Sequence, residues 1–199
     1  MGRRKSTGYV AAKIRANTAR RLNRARRNPD DLEVRDQLVA LAMAGPDGIA
    51  QVREIAEVLN IPLTDGGWPL NMSGVDLGGA DLWGADLRGT NLTGANLSNA
   101  ILRRAHLSDA NLSGANFSNA NLNSAYLWNA DLRGANLQHA NLSAADLIGA
   151  NLNGADLSGA ILWDADLRRA SFVGAILDNI KHHRGTRWPR GFRPPRSRR

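Results

Sequence analysis

Cysteine is absent from the 199 residues, which excludes disulfides and thiolate metal sites and fits a reducing, cytoplasmic setting. No run of about 18 apolar residues occurs, so no membrane span is expected. The N-terminus is basic but no apolar stretch follows it, so no secretory signal is expected. Met1, Gly2 and Ser6 do fit the short N-myristoylation pattern. Acid is missing from both ends. Residues 1–28 hold ten Lys/Arg and residues 180–199 hold eight, and neither segment has an Asp or Glu. The chain totals 26 basic and 18 acidic residues, a net of +8, so residues 29–179 keep 8 basic and 18 acidic, a net of −10. An acidic body lies between two basic arms, and such asymmetry speaks to partners rather than to fold.

Four segments follow from composition and period. Residues 1–28 form a basic arm, with a weakly amphipathic helix over 9–27 whose apolar stripe is only Val10, Ile14 and Leu22. Residues 29–69 form a small helical cap and linker. Asn28-Pro29 starts one helix, with Asp30 and Asp31 in its first turn, and Gly45-Pro46 stops it. A further helix over 47–60 places Ile49, Val52, Ile55, Ala56 and Leu59 on one face. Turn formers fill 61–69. Residues 180–199 form a basic tail.

Between them, over 70–179, the period is five. The consensus is Ala-(Asp/Asn)-Leu-x-Gly, repeated 22 times without insertion. The central residue runs from Met72 and Leu77 to Leu177, with Phe117 and Phe172 its two aromatics. In an α-helix five residues advance by about 500°, which scatters the leucines around the axis. In a straight strand an odd period sends alternate leucines to opposite sides. The pattern is consistent only if the chain turns a corner after each unit, with Ala and Leu inward, Asp/Asn outward, and Gly, Ser or Asn in the turn.

These tandem units resemble the pentapeptide-repeat proteins. The resemblance implies an all-β solenoid: a right-handed quadrilateral β-helix, four units to a coil, about five and a half coils, with an N-terminal α-helical extension. At about 4.8 Å per coil the rod is roughly 26 Å long. Exposed solenoid ends need covers. The helices at 29–60 with Trp68 are candidates for the first, and the segment Thr186–Phe192, which resembles sequences found after such repeats, for the last.

Four units per coil stacks residue n beside n+20. One outward column is then Arg88, Ser108, Trp128, Ile148, Arg168, flanked by Gly89, Asp109, Asn129, Gly149, Arg169. Another is Trp83, Arg103, Asn123, Ser143, Trp163. With Arg104 these columns give the candidate partner surface: Trp83, Arg88, Arg103, Arg104, Trp128, Ile148, Trp163, Arg168 and Arg169, because Trp and Arg serve as interface anchors. The opposing reading is scattered surface variation. A third column, Asp86, His106, Tyr126, Asp146, Asp166, contains acid–base groups, but a solenoid flank offers neither pocket nor nucleophile. His182-His183 lacks a third metal ligand. No phosphate loop, zinc signature or nucleophile elbow occurs. No catalysis, cofactor or metal is therefore expected. Gln51–Thr64 resembles the first half of a helix-turn-helix, but Gly66, Gly67 and Pro69 break its second helix.

The sequence thus points to a non-enzymatic binding scaffold. Its candidate polyanion contacts are Arg3, Arg4, Lys5, Arg20, Arg21, Arg24, Arg26 and Arg27 in the N-terminal arm. In the tail they are Arg184, Arg187, Arg190, Arg193 and Arg196, beside Trp188 and Phe192. Such a pattern suits phosphate backbones. The alternative comes from the resemblance: pentapeptide-repeat proteins linked to quinolone resistance imitate DNA with an acidic rod and bind gyrase. The repeat sums to −4, from six basic and ten acidic residues, but Arg103-Arg104 and Arg168-Arg169 interrupt its acidic surface.

Overall fold

The computed structural model describes residues 71–197, which lie within one compact unit, Leu63–Arg199. The helices, linker and half-motif expected before residue 70, the basic arm over 1–28, and Arg198 and Arg199 lie outside the described residues.

Each five-residue unit is a strand reduced to one residue, followed by a tight turn. In the unit Asn121–Ala125, Asn121 makes the β-bridge, Leu122 points inward, and Asn123 and Ser124 turn the corner. The Ala125 N–H closes the turn on the Leu122 carbonyl at 3.0 Å. The fourth residue carries a positive φ, 57° at Ser124, which is the signature of a type II turn. Glycine adopts that conformation freely and supplies it in eleven of the 22 units, with non-glycine residues in the other eleven. The first residue fixes the same turn, because its Oδ1 accepts the N–H two residues on, as Asn141 does from Ser143 at 3.0 Å and Asp156 from Ser158 at 2.9 Å. That local bond explains the Asp/Asn preference at this position. A ladder along the rod is the minor use of these side chains: among the described residues it runs Asn91 to Asn71 (3.2 Å), Asn96 to Asp76 (2.7 Å) and Asn116 to Asn96 (3.4 Å).

Coils join through a parallel ladder. Among the described residues nineteen bridges link residues twenty apart, from Asn71↔Asn91 to Ile161↔Lys181. Leu77 N–H donates to the Asn96 carbonyl (2.7 Å), and Asn96 N–H returns to the Val75 carbonyl (2.9 Å). The interior is a column of Leu over Leu and Ala over Ala, fully buried through the middle of the rod with Phe117 among them. Each leucine contributes about 2 kcal/mol by area, an upper figure because the unfolded chain is already partly compact. Thr90 takes an Ala position at 0 % exposure, and its hydroxyl donates to the Leu87 carbonyl at 2.8 Å.

The coil runs past Asn179, where the five-residue period stops. Lys181 bridges Ile161, and Arg187 bridges Asp166 across a spacing of 21 rather than 20. The extra residue sits in the turn His183–Thr186, which is pinned by the Thr186 hydroxyl donating to the Leu162 carbonyl at 2.7 Å. Beyond it, Trp188 and Phe192 close over the half-buried Phe172 (ring centroids 5.9 and 5.0 Å) and stack on each other at 5.2 Å. His182 meets the edge of Trp188, and its Nε2 bonds the Pro195 carbonyl at 2.8 Å. Residues 180–197 are therefore the end-cover of the solenoid as well as a basic segment.

Candidate interaction surface

The twenty-residue register gives the rod four faces. Starting from Asn71, Asp76, Asp81 and Asp86, each face repeats one coil later, and its side chains differ from those of its neighbours. The first face carries Asn, Ser, Thr and Gly with one Asp–Arg pair, Asp131 and Arg133. The second carries three acids, Asp76, Asp156 and Asp178, with His139 and no Lys or Arg. The third carries Asp81 and Asp164 against Arg103, Arg104, Lys181 and Arg184. The fourth sets Asp86, Asp109, Asp146 and Asp166 against Arg88, Arg168, Arg169, Arg187 and Arg190. Among the described residues the third face has the largest excess of Lys and Arg over acid, two against one on the fourth.

Exposed apolar groups follow the same sorting. Trp83 (61 %), Ile101 (40 %) and Trp163 (45 %) lie on the third face, and Tyr126 (44 %) and Trp128 (48 %) on the fourth. Val173 and Ile176, the remaining exposed large hydrophobics among the described residues, lie in the last coil. Bridges stack the columns as the sequence register places them, so Trp83, Arg103 and Trp163 share one line. Ile148 is half-buried beside Trp128 rather than open. In the fourth-face column His106 and Tyr126 stack ring on ring at 4.7 Å and 19°. Tyr126 and Ile101 belong to this surface too, although both occupy the Asp/Asn position of their units and neither is among the partner residues expected from sequence.

Arg88 and Arg168 are not bare cations. Arg88 donates through Nε and Nη2 to the two Asp86 carboxylate oxygens (2.8 and 2.7 Å), and Arg168 to Asp166 through Nε and Nη2 (2.9 and 2.8 Å). Arg133 holds Asp131 in the same way at 2.6 Å. These guanidinium hydrogen bonds hold the three carboxyls below the ordinary carboxylate range, against the opposing effect of partial burial. Arg187 also reaches Asp166, at 3.5 Å. Arg103, Arg104 and Arg169 are exposed and have no ion-pair partner among the described residues.

All three ion pairs fall in one recurring string, Leu-Trp-x-Ala-Asp-Leu-Arg, at 82–88, 127–133 and 162–168. The first and third copies lie eighty residues apart, which is four coils, so they occupy the same corner of the rod. The second is displaced by 45 residues and lies one face on. The string is plain in the sequence, but its alignment on one corner appears only with the register.

At the far end of the third face, His183 stacks on Trp163 (6.5 Å, 9°), its Nε2 lies 3.5 Å from an Asp164 oxygen, and its Nδ1 accepts the Gly185 N–H at 2.9 Å. Gly185 packs against the Asp164 carboxylate so closely that a Cβ would collide with it. Among the described residues no cluster of three or more His, Asp or Glu is placed to hold a metal ion, and no helix is long and apolar enough to cross a membrane.

A parallel helix with four flat faces, a filled core and its distinctive side chains all outside is a solenoid whose chemistry is that of its surface. The family model described as pentapeptide repeats matches residues 71–109, 110–149 and 145–181, with eight copies. That is more than half of the chain, which therefore belongs to the pentapeptide repeat family, whose members fold as right-handed quadrilateral β-helices. No curated protein matches the chain. Among solved structures, it is similar to HetL, a pentapeptide repeat protein involved in heterocyst differentiation regulation from the cyanobacterium Nostoc sp. strain PCC 7120. The two share 34 % identity over 55 % of this chain and 67 % of HetL, with a TM-score of 0.35. It is similar to Rfr23 from the cyanobacterium Cyanothece 51142 at 30 % identity, over 57 % of this chain and 90 % of Rfr23, TM-score 0.37. The plasmid-mediated fluoroquinolone resistance protein QnrB1 aligns at 22 % identity, over 58 % of this chain and 68 % of QnrB1, TM-score 0.38.

Proposed function

We propose that this protein is a non-enzymatic binding scaffold that holds a polyanion, nucleic acid above all, through the basic residues at its ends. The observation that carries the reading is how the C-terminal end is anchored. Rings hold it: Trp188 and Phe192 sit on Phe172. Charges do not, since Arg187 is the one tail Lys or Arg paired with a rod acid among the described residues. Arg184, Arg190, Arg193 and Arg196 are exposed and unpaired there, so the tail presents its charge to solvent instead of folding it onto the acidic body. The N-terminal arm adds ten more cations without an acid. Clustered unpaired arginines beside aromatic rings suit phosphate backbones. The absence of catalysis is part of the proposal: the column Asp86, His106, Tyr126, Asp146, Asp166 presents His106 stacked on Tyr126, on an open flank.

The second reading is an acidic DNA mimic that binds a topoisomerase. The second face, with Asp76, Asp156 and Asp178 and no Lys or Arg, is the observation in its favour. Against it, three of the ten rod carboxylates are chelated by Arg88, Arg133 and Arg168, which breaks the acidic surface. Purification of the full chain at low salt, with and without nuclease, separates the two. Nucleic acid that co-purifies and is removed by nuclease supports the scaffold. Co-purification of gyrase that nuclease leaves intact supports the mimic and contradicts the scaffold.

A further inference from the structure

We infer that the third face is a stacking platform for single-stranded nucleic acid; this rests on the polyanion reading and names its substrate. Three independent features meet on that face. First, two exposed tryptophans stand on one line, Trp83 and Trp163, four coils apart, which at about 4.8 Å per coil is roughly 19 Å. Second, the cations between and beyond them are unpaired among the described residues: Arg103 and Arg104 one coil from Trp83, and Lys181 and Arg184 one coil past Trp163. Third, it has the largest excess of cations over acids of the four faces among the described residues, while the second face repels phosphate with three acids.

The Trp83 backbone is fixed by its N–H bond to Asp81 Oδ1 at 3.2 Å, and its ring stands 61 % exposed. Trp163 is backed by His183, which Asp164 and Gly185 orient. A ring backed in this way, as Trp163 is, loses little side-chain freedom on stacking. A base presents its π-face to an indole whatever its sequence, and a cation beside it meets the phosphate; this pairing is how single strands are held without sequence preference. A span of about 19 Å accommodates roughly four to six nucleotides at 3.4 Å or more each. A duplex hides its bases and can use only the cations. The chemistry therefore favours a single strand over an equally charged duplex, and over an acidic polypeptide, which has nothing to stack.

The test is binding of a labelled oligothymidylate, with a duplex of the same length as comparison, to the full chain and three paired variants. Trp83→Ala with Trp163→Ala is expected to weaken oligothymidylate binding by about tenfold or more while leaving duplex binding unchanged. Arg103→Gln with Arg104→Gln is expected to reduce the salt slope for the single strand by about 1.4, at roughly 0.7 for each phosphate no longer neutralised. Tyr126→Ala with Trp128→Ala, on the neighbouring face, is expected to stay within about twofold of the parent. All six positions are on the surface, and melting curves confirm that each variant folds. Unchanged oligothymidylate binding by the tryptophan pair overturns the platform, even where duplex binding keeps the polyanion reading intact. Displacement of the oligonucleotide by polyglutamate as readily as by its own unlabelled strand also overturns it. Binding of neither nucleic acid overturns both readings.

Discussion

Ala144 shows how the repeat tolerates poor turn residues. Its φ of 56° is the left-handed region, where a Cβ costs about 1 kcal/mol relative to glycine. Arg104, Ser124, His139 and Arg169 share the position with φ between 57° and 62°. Ala144→Gly is expected to stabilise the protein by about 1 kcal/mol, raising its melting temperature by about 2–4 °C. An unchanged or lower midpoint contradicts the turn assignment. The ion pairs give a pH signature. Because the native Asp131 carboxyl sits below its unfolded value, its contribution is present above about pH 4 and is lost as pH falls through the native pKa. Arg133→Gln is therefore expected to lower stability at neutral pH and to make no difference near pH 2. Denaturant melts at the two pH values check this, and a deficit that persists in acid assigns the effect to packing. The Asp–Arg strings themselves are legible, since Leu-Trp-x-Ala-Asp-Leu-Arg is repeated verbatim. That the arginine folds back on its own aspartate is not legible, because an arginine two residues away on a turn reaches outward or backward equally well.

At the level of the coil, nearest-neighbour contact carries the stability. Leu122, 1 % exposed near mid-rod, has no polar partner, so Leu122→Asp is expected to abolish the β-type circular dichroism of the full chain. Retention of that spectrum contradicts the inward column. The C-terminal cover is a separate unit of packing. Trp188 touches Phe172, His182 and Phe192, and Trp188→Ala is expected to cost about 2–3 kcal/mol and to speed hydrogen exchange in the last coil before the rest. Uniform exchange along the rod would show that the cover is not rate-determining. The coil is readable because a period of five with Leu and Ala two apart admits no other inward pattern. The end of the coil is less so. Between Lys181 and Arg187 one residue is added and Leu gives way to His182, so periodicity stops while the ladder continues. The side chains that carry the register there, Thr186 on the Leu162 carbonyl and Arg187 on Asp166, act through tertiary contacts that have no local signal.

For the molecule as a whole, net charge and its segregation to the ends follow directly from composition. The sorting of charge among faces requires the register. An acidic second face and a basic third face average to near neutrality in any linear count, which is why Arg103-Arg104 reads along the chain as a mere interruption of the rod. The tail of 180–199 is a simple basic arm by composition; its described part, 180–197, proves to be anchored through Trp188 and Phe192, so the cations there are presented at a fixed place on the rod. Deleting that tail would uncover Phe172, so neutral substitutions are the cleaner probe of its charge. The decisive measurement is the dependence of duplex-DNA affinity on salt for the full chain, beside a variant with Arg184, Arg190, Arg193 and Arg196 all replaced by Gln. A scaffold that grips phosphate with its ends gives a steep linear fall of log affinity with log salt. In the variant the slope is shallower by up to about 3.6, at roughly 0.9 for each phosphate left without its arginine. A slope near zero, or the same slope in both proteins, contradicts the account.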